Sequence, residues 1–149
     1  MKRLNKLISI IVVVIVLIVF ISFVNHKMKL KDEDALFKTN GKFVEVNGHH
    51  MNVYLSGNSH SDITLVFMSG AGTCSPTLDF KTLYSLFEKD YQIAVVEKAG
   101  YGFSDISDIS RDIDTILFET RESLNLAGVT NHKYILFPHS MSGIEALYW

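Results

Sequence analysis

The stretch 134-YILFPHSMSGIEALYW-149 decides the fold. Tyr134 to Phe137 is a short apolar run of strand type, Pro138 to Gly143 is a turn of small and polar residues, and Ile144 to Trp149 has helical composition. A strand turning sharply into a helix presents the turn beyond the carboxyl end of the strand, where open α/β sheets place their ligands. That turn holds Ser140. A serine hydroxyl is a poor nucleophile unless it is presented free of its neighbours, next to a base and beside preorganised donors. A strained strand-to-helix turn presents it so, and needs small residues two positions to either side, which the pattern G-x-S-x-G supplies with glycines. Here Pro138 precedes Ser140, and Ser142 and Gly143 follow it. Serine is small and proline can end a strand, so the steric requirement is partly met. Taken alone, a capped turn leading into a helix explains Ser140 about as well.

Two further apolar runs toward the amino terminus end in loops of the same kind. Ile63 to Met68 is closed by Ser69-Gly70-Ala71-Gly72, and Ile93 to Val96 is followed by Gly100-Tyr101-Gly102. Between them, Ser75 as cap and Pro76 as first residue open a predicted helix with Phe80, Leu83, Tyr84 and Phe87 on one face. A second helix is predicted from a Ser110 cap, with Ile113, Leu117, Thr120 and Leu124 in one stripe before Gly128. Ahead of all these, Phe43, Val44 and Val46 run into Asn47-Gly48, and Met51, Val53 and Leu55 alternate beyond it. Asn-Gly supplies the two positive φ angles of a tight hairpin turn. The order is hairpin, strand, helix, strand, helix, strand, turn, helix. It predicts an α/β fold whose sheet is mostly parallel, with an antiparallel amino-terminal hairpin.

Three segments, which fall along the chain in the family's order, resemble the α/β-hydrolase family. PHSMSGIEALYW resembles the family's nucleophile elbow, commonly G-H-S-M-G-G; SGAGT at 69–73 lies where the family has its His-Gly oxyanion loop; EKAGYGFSD at 97–105 resembles D-R-x-G-x-G-x-S. The resemblance covers residues 41–149. It implies Ser140 as nucleophile, and the backbone amides of Ala71 and Met141 as oxyanion donors. It implies no metal and no organic cofactor. Ser69 stands for the family's His, Glu97-Lys98 for its Asp-Arg, and Pro138 and Ser142 for elbow glycines. The family's triad runs in the order Ser, Asp or Glu, His, and after Ser140 come nine residues with Glu145 and no His. The family's sheet has about eight strands against the five predicted here. The expectation is therefore the amino-terminal portion of a hydrolase, with the acid and the base beyond residue 149.

Residues 7–24 read LISIIVVVIVLIVFISFV, with no charge and only Ser9 and Ser22 polar. As a helix they reach about 27 Å, close to the roughly 30 Å apolar core of a bilayer. The exit, FVNHKMKLK, has no small-residue cleavage site, so we expect an uncleaved anchor in the lipid bilayer. Lys2, Arg3 and Lys6 before it are matched by Lys27, Lys29 and Lys31 after it, so the charge bias nearly cancels. With a tail of only residues 1–6, the amino terminus is expected to stay in the cytoplasm. The rest, a charge-rich linker at 25–40 and the domain at 41–149, would lie on the extracytoplasmic side of a single-pass cell-membrane protein.

Composition excludes other classes. Three of the 14 basic residues precede the apolar block and all 16 acidic residues follow it, leaving the remainder mildly acidic. No basic cluster follows Lys31, which argues against nucleic-acid binding. Hydrophobic residues at 48% and charged residues at 20% exclude a disordered chain, and the single Cys74 excludes a disulfide scaffold or thiolate zinc site. Cys74 is expected to be a small buried residue, and His49, His50 and His60 to be solvated. His139 is expected at a pocket rim, and Asp105, Asp108 and Asp112 in a solvated loop and helix start. Gly100-Tyr101-Gly102 lacks the third glycine of a dinucleotide site. Two functions follow. The first is a membrane-anchored serine hydrolase acting on the ester, thioester or amide bond of a small acyl substrate, incomplete as given. The second is a non-catalytic membrane protein or inactive gene fragment with the same partial fold. Were the chain active alone, its base would have to be His49, His50, His60 or His132.

Overall fold

The computed structural model describes residues 2–36, 38–130 and 133–149, which fall into two units, 1–39 and 40–149. The first unit is one helix, α1, Lys2–Leu36. It takes in residues 25–36, where the missing apolar period had pointed to a linker. No glycine or proline interrupts residues 2–36, and lysine, leucine, methionine and glutamate past the apolar block are good helix formers, so the helix runs on beyond it. Every described side chain from Leu4 to Val24 is exposed, so the helix is apolar all round and buries nothing in its own unit. By length and composition, Leu4–Glu33 can cross a membrane.

The second unit is a five-stranded sheet with helices on both faces. Strands β1 (Lys42–Val46) and β2 (His49–Gly57) form the expected hairpin, with Asn47 at φ 52° in its turn. Strands β3 (Thr64–Met68), β4 (Gln92–Val96) and β5 (Tyr134–Pro138) follow, and the sheet order is β1-β2-β4-β3-β5. β2 runs antiparallel to β4, while β3 is parallel to both β4 and β5. The loops after β3, β4 and β5 therefore meet at one edge of the sheet.

Side-chain alternation divides the core in two. Val66 and Met68 of β3 face the same side as Ala94 and Val96 of β4, where Leu124 and Ala127 of helix α4 (Ile113–Ala127) cover them. Leu65, Phe67, Ile93 and Val95 face the other side, covered by Tyr84 with Phe80, Phe87 and Phe137. Burial there pushes the Tyr84 hydroxyl well above its usual pKa. The helix expected after Ser75 is broken in two: α2, Pro76–Asp79, and α3, Lys81–Tyr84, with Phe80 between them at φ −90°. Ser75 makes no side-chain cap bond, and Leu83, placed on the inner face by helical spacing, is exposed. Packing Phe80, Tyr84 and Phe87 onto one sheet face overrides a weak helical preference in so short a connection.

Helix α4 is capped by Asp112 rather than Ser110. The Asp112 carboxylate accepts the backbone N–H of Thr115 at 2.9 Å, and that bond holds its pKa below the usual aspartate value near 3.8. A pKa depressed by folding adds stability above 3.8, and that stability is lost as the pH falls through the folded value. Asp112→Ala should therefore lower the melting temperature at neutral pH. In acid below the folded pKa, the difference between the two proteins should vanish; an equal difference at both pH values would rule out the cap.

Helix α5 (Ser142–Tyr148) follows β5, whose outer edge carries the half-exposed Ile135.

Candidate active site

Ser140 lies between β5 and α5 with φ 57°, a left-handed conformation that costs a non-glycine residue about 1–3 kcal/mol and persists only where the surroundings enforce it. Three features enforce it. The His139 N–H donates to the Met68 carbonyl at 3.0 Å, tying the turn to the end of β3. The Ser142 hydroxyl donates toward Met68 O at 2.7 Å, with His139 O at 2.9 Å, and accepts the His139 N–H at 2.7 Å. Tight backbone bonds from Ser142 to His139 and from Gly143 to Ser140 then close the turn into α5. The serine that stands for an elbow glycine is thus a brace, and Ser140 itself stays exposed.

The loop after β3 comes close to this turn. A Cβ on Gly70 would lie 2.8 Å from the Ser140 Cβ and 3.0 Å from the His139 carbonyl, so only glycine allows the approach. Gly70→Ala should push the loop away by something approaching 1 Å, and a misplacement of that size costs about 10²-fold in rate. Probe labelling of Ser140 in a complete enzyme should fall by that order at unchanged stability; an unchanged rate would show that the loop's position is immaterial. The amides of Ala71, next to Gly70, and of Met141, next to Ser140, meet no acceptor among the described residues.

Below the turn, Lys98 and Glu145 form a buried ion pair at 2.5 Å, and Lys98 Nζ also donates to the Ser69 carbonyl at 2.8 Å. Burial pushes the Lys98 pKa down, and Glu145 pulls it partly back. The neighbouring Glu97 accepts from Asn52 Nδ2, Thr77 Oγ1 and the Phe103 N–H, which fixes the loop after β4.

No family model matches the chain. It is 49% identical over 126 residues to the uncharacterized protein YbdG of Bacillus subtilis (strain 168), covering 85% of this chain. The chain spans 38% of that protein's length. Among solved structures it resembles a hydrolase from Pseudomonas aeruginosa PA01, with TM-score 0.65 and 14% identity over 75% of this chain and 41% of that one. It also resembles an esterase from Exiguobacterium antarcticum, with TM-score 0.59 and 25% identity over 72% of this chain and 38% of that one. A haloalkane dehalogenase variant from Bradyrhizobium elkanii matches with TM-score 0.62 and 18% identity, over 72% and 34%. The chain has the α/β-hydrolase fold, over part of that fold's length. The solved structures that share this fold carry different named activities, so the fold alone does not choose among them.

Within this hydrolase fold, Ser140, Ala71 and Met141 come from loops that the sheet brings together. Among the described residues of the domain, His49, His50 and His60 do not join them. A general base must come within about 2.6–3.2 Å of the serine oxygen, and β2, which begins at His49 and His50, lies three strands from β5. At about 4.8 Å per strand that is roughly 14 Å. His60 is at the opposite end of the sheet, where Asn58 bonds to Tyr91 ahead of β4. His132 lies outside the described residues. His139 is exposed, with its ring edge-on to Phe80 at 6.3 Å.

Several sequence expectations need correction. His49 is buried rather than solvated, 3.7 Å from Glu119, which Arg111 and Asn47 also contact. His50 and Asp105 are exposed, as expected, and pair with each other at 3.0 Å; the His50 N–H and ring hold the Asp105 carboxyl below its usual pKa. Cys74 is exposed rather than buried, in a loop whose Ala71 and Gly72 are exposed as well. The Lys98–Glu145 pair is not among the sequence expectations; its signal is a lysine two residues after an apolar strand, in the Glu97-Lys98 pair that stands for the family's Asp-Arg.

Proposed function

We propose that this protein is the nucleophile-bearing portion of a membrane-anchored serine hydrolase acting on an ester, thioester or amide bond. The observation that carries this reading is Ser140, held exposed at positive φ with the acceptor-free amides of Ala71 and Met141 in the adjoining segments. Ser140 Oγ would attack the carbonyl carbon of a small acyl substrate while a base takes its proton, and the two amides would receive the oxyanion. Collapse of the tetrahedral intermediate expels the leaving group and leaves an acyl-serine, which water then hydrolyses. The base and its carboxylate would come from outside the described residues. A serine at this position favours acyl chemistry over attack on alkyl carbon, which members of this fold perform with aspartate. The test is covalent labelling by a fluorophosphonate and mapping of the labelled residue. A label elsewhere than the Ser140 position would overturn the reading.

Among the described residues of the domain, His49, His50 and His60 lie away from Ser140, and His139 adjoins it with its ring edge-on to Phe80; this favours a second reading for this chain by itself, an inert membrane-bound fragment. Anchoring is the part common to both. Residues 7–24 would span the bilayer with residues 1–6 in the cytoplasm and the domain outside. The full chain should resist carbonate extraction, and protease added outside should digest the domain. A soluble product lacking residues 1–24 would refute the anchor.

A further inference from the structure

Between the loop after β3 and the helix after β5 lies an ion pair that acyl transfer does not itself require. Lys98 Nζ joins the Ser69 carbonyl, 29 positions away in sequence, to the Glu145 carboxylate, 47 positions away. Ser69 leads into Ala71, and Glu145 belongs to α5, which starts directly after Met141. We propose that Lys98 is a positioning residue: by bridging the Ser69 carbonyl and the Glu145 carboxylate, it sets the spacing between the Ala71 and Met141 amides. This rests on the reading of Ser140 as nucleophile.

Three observations support it. Ala71 is clamped on both sides by one loop, because the Gly72 N–H donates to Tyr101 Oη at 2.8 Å while Lys98 holds Ser69. Both members of the ion pair are only 10% exposed, and a buried pair of this kind serves stability no better than apolar side chains of equal volume. An ammonium with directed donors fixes two acceptors at once, which an apolar contact does not. Finally, Glu145 Oε2 and Ser69 Oγ are buried with no partner among the described residues. Unpaired buried polar atoms oppose stability, so what the cluster contributes is its arrangement.

The test uses the full chain in detergent micelles, as wild type, Lys98→Arg, Lys98→Met and Lys98→Met/Glu145→Leu, with backbone order parameters and thermal midpoints measured on each. Lys98→Met alone strands a buried carboxylate and should destabilise the fold, so the double variant is decisive. It should keep its midpoint while the order parameters of residues 70–73 fall from about 0.85 to below about 0.6. Lys98→Arg, still charged and able to reach both acceptors, should retain the order of the wild type. Unchanged order at 70–73 in the double variant would overturn the proposal, and so would disorder spreading through β3 and β4, which would make the pair a plain stability element. Fluorophosphonate labelling of the longer Bacillus subtilis relative tests the nucleophile separately. If that fails while loop order depends on Lys98, the nucleophile reading falls and the loop-positioning role of Lys98 stands.

Discussion

Replacement of the Ser140 serine by alanine is expected to abolish fluorophosphonate labelling in a longer relative that carries the same elbow and supplies the length that this chain does not span. The expectation follows from the turn. A serine held at φ 57° by the Met68 carbonyl and the Ser142 hydroxyl is strained in a way that serves presentation rather than stability. Losing one oxyanion donor costs about 10²- to 10³-fold, and losing a triad serine costs about 10⁶-fold in turnover. Alanine removes the covalent bond altogether. The 149-residue chain itself should hydrolyse an activated aryl ester no faster than its Ser140→Ala form, because His49 and His50 lie three strands from Ser140. Ser140-dependent turnover by the chain alone would show that a base reaches it after all. Retained labelling in the alanine variant of the relative would remove Ser140 from the mechanism.

Phe67→Ala is expected to cost more stability than any surface change in the domain. Phe67 is 1% exposed in the interior strand β3, stacked on Phe137 at 4.7 Å and flanked by Phe80 at 5.5 Å and Tyr84 at 6.0 Å. Truncating a buried phenylalanine costs about 3–5 kcal/mol, against about 5–15 kcal/mol for the whole of a typical domain. At about 4 °C per kcal/mol, the melting temperature should fall by at least 12 °C or so, or the cooperative transition should disappear. Ile106→Ala is the contrast. Ile106 is 87% exposed, and its loss should change stability by less than about 0.5 kcal/mol. Equal effects at the two positions would mean that the aromatic layer between β3 and the short helices is not the core of that face.

The order of elements was legible in the chain because each signal is local. Asn47-Gly48 carries its own turn, Leu65 to Met68 and Ile93 to Val96 are continuous apolar runs suited to strands buried on both faces, and α4 has an apolar stripe ended by Gly128. Residues 7–24 declared an apolar helix by length alone. The three loops at strand ends were legible for the same reason, whereas the parts given to Ser140, Ala71 and Met141 rest on the family resemblance. The cap of α4 was missed by two residues, since both Ser110 and Asp112 have the chemistry and only the backbone path selects Asp112.

What tertiary structure decided was every relation across sequence distance. That β3 lies between β4 and β5, so that Gly70 meets Ser140, depends on which strands pair, and no local period encodes pairing. The burial of His49, the exposure of Cys74 and the broken helix after Ser75 depend on what packs against them. Lys98 and Glu145 meet for the same reason. A charged residue reads as solvated in a sequence because water is its default partner, and only the folded chain supplies the opposite charge, 47 positions away, that lets both leave the water.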